Sequence, residues 1–107
     1  MNQSLIENIL TWGRMKGLHT ADLRPQTLKL TEEMGELAAG VARNDDELIL
    51  DAVGDILVVL IQFGGCFAKG NEMDPEFFLE ACLYKAWQEI KNRKGQTVNG
   101  VFVKEVE

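Results

Sequence analysis

The 107-residue chain is poor in the residues that mark several large protein classes: two prolines, two cysteines, one histidine, and 7% aromatic residues. Two cysteines without metal-clip spacing set aside a disulfide framework and a zinc site. Gly65-Cys66-Phe67 and Ala81-Cys82-Leu83 read instead as buried free thiols. The longest uninterrupted apolar run, residues 56–61, is far too short to span a bilayer, and no basic-then-apolar leader opens the chain. A cytoplasmic protein with no membrane partner is the expectation. Basic charge is also scarce, with 11 Lys and Arg against 17 Asp and Glu, a net charge of −6. That balance argues against a protein that coats a nucleic acid polymer. A nucleotide remains admissible as a substrate, because a bound metal changes the local charge that a phosphate meets.

What remains is 46% hydrophobic and 26% charged, the composition of one soluble domain spanning residues 1–107. Apolar residues recur at helical spacing, so the fold class expected is all-α, a four-helix bundle-like domain with a short extended C-terminal arm. Ser4 and Glu7 have capping-box spacing ahead of Leu5, Ile9 and Trp12, giving a first helix to about Met15 that Gly17 ends. Pro25 suits the first turn of a second helix reaching about Arg43. Asn44 or Asp45 can cap a third, to about Phe67, with a bend at Gly64-Gly65. That third helix is apolar nearly all round, which predicts a central, buried position. Asp74-Pro75 opens a fourth helix that Gly95 stops. Asn99-Gly100 between β-branched residues predicts a small hairpin or extended arm.

The chemistry concentrates in five carboxylates on the middle two helices. Glu32, Glu33 and Glu36 stand in E-E-M-G-E, and Asp51 and Asp55 in D-A-V-G-D. At about 100° per residue, Glu32 and Glu33 flank Glu36, while Asp51 and Asp55 point the same way one turn apart. Asp51, Asp55 and Gln62 form the one polar stripe of the most apolar helix. A Glu-rich stretch alone is usually a solvated face. Carboxylates inside an apolar helix must instead be paired, protonated or metal-bound. Two acidic helices packed together fit a hard divalent ion, Mg²⁺ or alternatively Mn²⁺, held by oxygen.

These segments resemble a known family. Lys29-Leu-Thr-Glu32-Glu33-Met-Gly-Glu36-Leu followed by Asp51-Ala-Val-Gly-Asp55-Ile-Leu is similar to the signature of the all-α nucleoside triphosphate pyrophosphohydrolases of the MazG type, E-E-x-x-E and then E-x-x-D on two helices. The stretch from Ile90 to Gly95 and from Asn99 to Lys104 resembles the small single-domain members. In one respect the chain departs: Ala52 stands where E-x-x-D has its glutamate, and Asp51 is the nearby acid. The resemblance implies hydrolysis of a ribo- or deoxyribonucleoside triphosphate to the monophosphate and pyrophosphate. It implies Glu33, Glu36, Asp51 and Asp55 as metal ligands and Glu32 as base or further ligand. Glu32, Glu33, Glu36 and Asp55 thereby form the catalytic set.

Substrate contacts are expected from Lys29, one turn before Glu33, and from Lys85 and Arg93, since the family's last helix often supplies cations to the nucleotide. Each has a plainer role available, an i,i+4 ion pair for Lys29 and helix-end charge for the others. Trp12 offers a ring for base stacking, although a Trp on an amphipathic helix is more often core, and the same holds for Trp87. His19 stands isolated in a loop, and Asn71 reads as turn chemistry. A non-catalytic helical module with a degenerate site is the competing reading. A carboxylate-bridged redox bundle is disfavoured, because no Glu-x-x-His motif is present. Four helices in so short a chain cannot cover every apolar face, so a homodimer or homotetramer is expected.

Overall fold

A computed structural model describes residues 3–106. The chain forms helices α1 (Gln3–Met15), α2 (Arg24–Ala42), α3 (Asp46–Gly70) and α4 (Pro75–Ile90), then strands β1 (Gly95–Val98) and β2 (Val101–Lys104). The all-α class and the extended arm follow the sequence pattern.

Local chemistry explains the boundaries. Helix α1 ends in a Schellman arrangement: the Leu18 N–H donates to Gly13 O and the Gly17 N–H to Arg14 O, with Gly17 at φ +74°. Asn44, at φ +53°, closes α2 the same way, its N–H donating to Val41 O and that of Asp45 to Gly40 O. Asp45 then caps α3 by accepting the Leu48 N–H at 3.1 Å. Asp46 and Glu47 in the first turn and Lys69 in the last suit the helix dipole. Asp74 caps α4 by accepting the Phe77 N–H, and Asn71 bonds back to Phe67 O at the end of α3. Ser4 lies inside α1 as described instead of preceding it, so the capping-box reading starts the helix two residues late. Helix α3 runs through Gly64-Gly65 to Gly70 without interruption, a turn beyond the expected end.

Helix α3 is the centre of the molecule, and α1, α2 and α4 each pack on it. Gly40 sets the spacing of α2 and α3, since a Cβ there would lie 3.2 Å from the Ile49 backbone nitrogen. Against α4, Leu79 lies over Gly64, and the Phe67 and Phe78 rings stack at 4.3 Å. Length and composition alone would let α3 cross a membrane, with a mean hydropathy of 1.9 over 18 residues. In this fold it is the helix on which the other three pack, and about a third of that stretch, 33%, is buried.

The core is small and off-centre. Ala52, Val59, Ile61, Cys66 and Ala68 of α3 are buried along with Leu10, whereas α4 contributes no buried residue. The expectation of a wholly buried α3 therefore fails on one side: Leu50, Val53, Leu57 and Leu60 are exposed. Cys82 is exposed, unlike Cys66, and both tryptophans are exposed, so the core reading of Trp12 and Trp87 does not hold within one chain. The reason is shared: in a single copy, each of these side chains lies on a helix face that no neighbouring helix covers.

The Asn99-Gly100 turn takes positive φ at both positions, +52° and +78°, the type I′ geometry that matches the twist of a two-residue hairpin. It pairs Val98 with Val101 and Gly95 with Lys104.

Candidate functional site

The α2–α3 pairing brings three of the expected carboxylates together. Glu33, Glu36 and Asp55 each offer an oxygen within 4.8 Å of the others. Glu33 is the interior member, 5% exposed, while Glu36 and Asp55 open to solvent. Its Oε1 lies 3.4 Å from Lys29 Nζ. Its Oε2 is buried and accepts no hydrogen bond. A carboxylate oxygen shut away from water without a donor is costly, since desolvation is not repaid. A cation held jointly with Glu36 and Asp55 would repay it, and three hard oxygens suit Mg²⁺ or Mn²⁺.

Lys29 also reaches Glu32 Oε2 at 3.6 Å. The Glu33 carboxylate, first by its hydrogen bond and then by its charge, with Glu32 adding, holds the Lys29 ammonium above the ordinary lysine range. Glu32 is thereby tied to the rim as an exposed partner of Lys29. Asp51 is exposed and stands outside the group of three. Ala52, where the resembled pattern has glutamate, is 0% exposed. Among the described residues the cluster is therefore three carboxylates, with Asp51 and Ala52 outside it.

A cleft of about 460 Å³ opens beside the cluster, lined by Trp12, Gln26, Lys29, Glu33, Asp55 and Gln62 among others. Trp12 is 53% exposed there, so its ring is free for a flat ligand. Lys85 and Arg93 are not part of this cleft. Lys85 is exposed on α4, and Arg93 lines a separate cavity of about 590 Å³ with Glu89, Asn92, Lys94, Lys104 and Glu105.

Behind the cleft lies a polar relay that the sequence reading left without a role. Gln62 is 2% exposed; its Nε2 donates to Ile9 O at 3.0 Å, and its Oε1 lies 2.6 Å from His19 Nε2. A carbonyl oxygen only accepts, so His19 carries its proton on Nε2. The relay fits because α1 and α3 present glycines to it. A Cβ at Gly13 would overlap the Gln62 amide, and one at Gly65 the His19 ring. The only hint in the sequence was a lone Gln on the same stripe as Asp51 and Asp55. Nearby, the Cys66 thiol donates to Leu18 O, and burial pushes its pKa up, as expected of an inert thiol.

Among known proteins, the chain is similar to an uncharacterized 18.2 kDa protein in the rep-hol intergenic region of Haemophilus phage HP1 (strain HP1c1), with 42% identity over 74 residues, covering 67% of this chain. The chain spans 42% of the length of that relative. No family model matches the chain, and no solved structure matches it.

Proposed function

We propose that the protein is a Mg²⁺-dependent nucleotide pyrophosphohydrolase that cleaves a ribo- or deoxyribonucleoside triphosphate to the monophosphate and pyrophosphate. The observation that carries this reading is the buried, unpartnered Glu33 Oε2 facing Glu36 and Asp55. The sequence resemblance to MazG-type enzymes, carried by the same residues, supports it. Bound at these carboxylates, Mg²⁺ (or Mn²⁺) would neutralise charge developing on phosphate oxygens. Glu33, with both neighbours, would hold the ion, while Trp12 stacks on the base and Lys29 contacts a phosphate from the rim. Glu32 is the exposed carboxylate outside those three that would accept a proton from the attacking water. The water oxygen bonds to the α-phosphorus as the bond to the bridging oxygen breaks, and pyrophosphate leaves with the electron pair. Free thiols fit a cytoplasmic setting. A homodimer or homotetramer would cover the apolar faces left open.

One observation favours a second reading. The sealed Ala52 and the outlying Asp51 leave a three-carboxylate set, which suits a module that binds metal or nucleotide without turnover. The experiment that separates them is pyrophosphate release from a panel of ribo- and deoxyribonucleoside triphosphates, with and without Mg²⁺ or Mn²⁺, beside Glu36→Gln. The enzyme reading predicts metal-dependent release that the variant loses. Metal binding without release from any substrate would select the module.

A further inference from the structure

From residue 80 to residue 106 the chain contains no buried residue. Helix α4 meets α3 where Leu79 lies over Gly64 and Phe78 stacks on Phe67, and its Glu76, Leu79, Glu80 and Leu83 line a shallow cavity with Gln3 and Ile6 of α1. The same helical side continues through Leu83, Trp87 and Ile90, and all three are exposed, Leu83 at 66%. Among the described residues, the two strands beyond it pack on each other and on no helix. A lone two-stranded hairpin is marginal in water, yet this one exposes Val98, Val101, Phe102 and Val103.

Helix α3 carries a matching open face. Gly64 and Ala68 are buried where α1 and α4 cover the C-terminal half of α3. One to four turns earlier, the row Leu60, Leu57, Val53 and Leu50 is uncovered, Leu50 at 74% exposed. From Leu50 to Leu60 the row rises about 15 Å at 1.5 Å per residue, long enough to take the free stretch of α4 from Leu83 to Ile90, about 10 Å. Charge agrees with an antiparallel match. The row begins beside Asp45, Asp46 and Glu47, and the apolar side of α4 ends beside Lys91, Arg93 and Lys94.

Area sets the scale of what is missing. A compact monomer of 12.0 kDa exposes about 6,000 Å², whereas this chain exposes 8222 Å². The radius of gyration is 16.2 Å, against about 13 Å for a compact domain of this length. The excess, roughly 2,200 Å² per chain, is what an obligate homodimer interface removes from each partner and well beyond the ~800 Å² of a standard one.

We propose that residues 80–106 form an exchanged arm: the apolar side of α4 from each copy lies antiparallel on the Leu50, Val53, Leu57 and Leu60 row of a second copy. The lysine and arginine end of the arm then meets the partner's acidic α3 N-terminus, and the hairpin extends over the partner's surface. The acidic cleft of α2 and α3 stays open, because Asp55 lies on the opposite side of α3 from the row.

The test uses the full chain. Light scattering at 10 micromolar should give a dimer or a multiple of it, and Leu83→Glu and Trp87→Glu should each give a monomer with unchanged far-ultraviolet circular dichroism. Since neither side chain is buried in a single copy, loss of helix is not expected. As a second measurement, a chain carrying Cys82 with Cys66→Ala is mixed with a tagged chain carrying Leu57→Cys, Cys66→Ala and Cys82→Ser. A short bismaleimide should link the two chains. A monomeric wild type would overturn the proposal. So would a dimer that both glutamate variants leave intact, or one in which only two Leu57→Cys chains become linked. Binding of the monomer to anionic or neutral vesicles in a flotation assay would assign these faces to a membrane and likewise overturn it.

Discussion

Gly13→Ala is a helix-interior change that would ordinarily stabilise, and here it should do the reverse. Replacing Gly by Ala in a helix gains about 1 kcal/mol. The new Cβ at position 13, however, falls within the space of the Gln62 amide, with all three nearest atoms belonging to its Oε1, Cδ and Nε2. Gln62 must move, and with it go the bonds to His19 and to Ile9 O. Each buried polar group left without a partner costs roughly 1–3 kcal/mol, so the net loss should be about 2–4 kcal/mol after the propensity gain. At about 4–8 °C per kcal/mol for a domain of this size, Tm should fall by roughly 10–30 °C. The assay is thermal and urea denaturation at one fixed protein concentration, because association couples to stability. Gly35→Ala is the control: its Cβ meets nothing within 4 Å, and it should gain up to ~1 kcal/mol. Adding Gln62→Ala to Gly13→Ala should recover part of the loss by removing the stranded amide. A Gly13→Ala protein as stable as the control would refute the relay as a structural element.

The remaining expectations rest on caps and on one ion pair. Asp45→Ala and Asp74→Ala each remove a side chain that accepts a backbone N–H at a helix start, and each should cost about 1 kcal/mol in urea unfolding. The Arg24 guanidinium beside Asp22 holds its carboxyl at about 2, below the ordinary 3.8. A depressed folded value means the pair stabilises above the unfolded value and loses that contribution as pH falls from about 4 toward 2. Asp22→Asn should therefore show a small deficit at pH 7 that has largely gone by pH 2, read from denaturation at both pH values. An unchanged deficit at pH 2 would mean that the ion pair is not its source.

The fold was legible where local chemistry is strong. Asp45, Asp74-Pro75 and Asn99-Gly100 name their own structures, because caps and turns are decided within four residues. The Glu33, Glu36 and Asp55 group was legible because two helices with acids at turn spacing can meet in few ways. Less legible was everything set by distant packing. That Gln62 binds His19 depends on glycines at 13 and 65, far apart in sequence. That Asp51 stands outside the cluster depends on how α3 rotates against α2, which its spacing to Asp55 leaves open. The exposure of Trp12, Trp87 and Cys82 depends on which helix faces a single chain leaves uncovered, and periodicity marks a face as apolar without saying what covers it.

The most direct test of the metal-site account is Mn²⁺ titration followed by electron paramagnetic resonance, comparing wild type with Glu33→Gln, alongside the metal-free stability of both. The account predicts saturable Mn²⁺ binding that Mg²⁺ displaces and that Glu33→Gln abolishes. It also predicts a metal-free variant at least as stable as wild type, because the substitution removes the charge from a carboxylate whose Oε2 is buried without a donor, while the half-exposed Lys29 ammonium keeps Glu32 as a partner. Binding that survives in Glu33→Gln would contradict it, as would a metal-free variant that is markedly less stable.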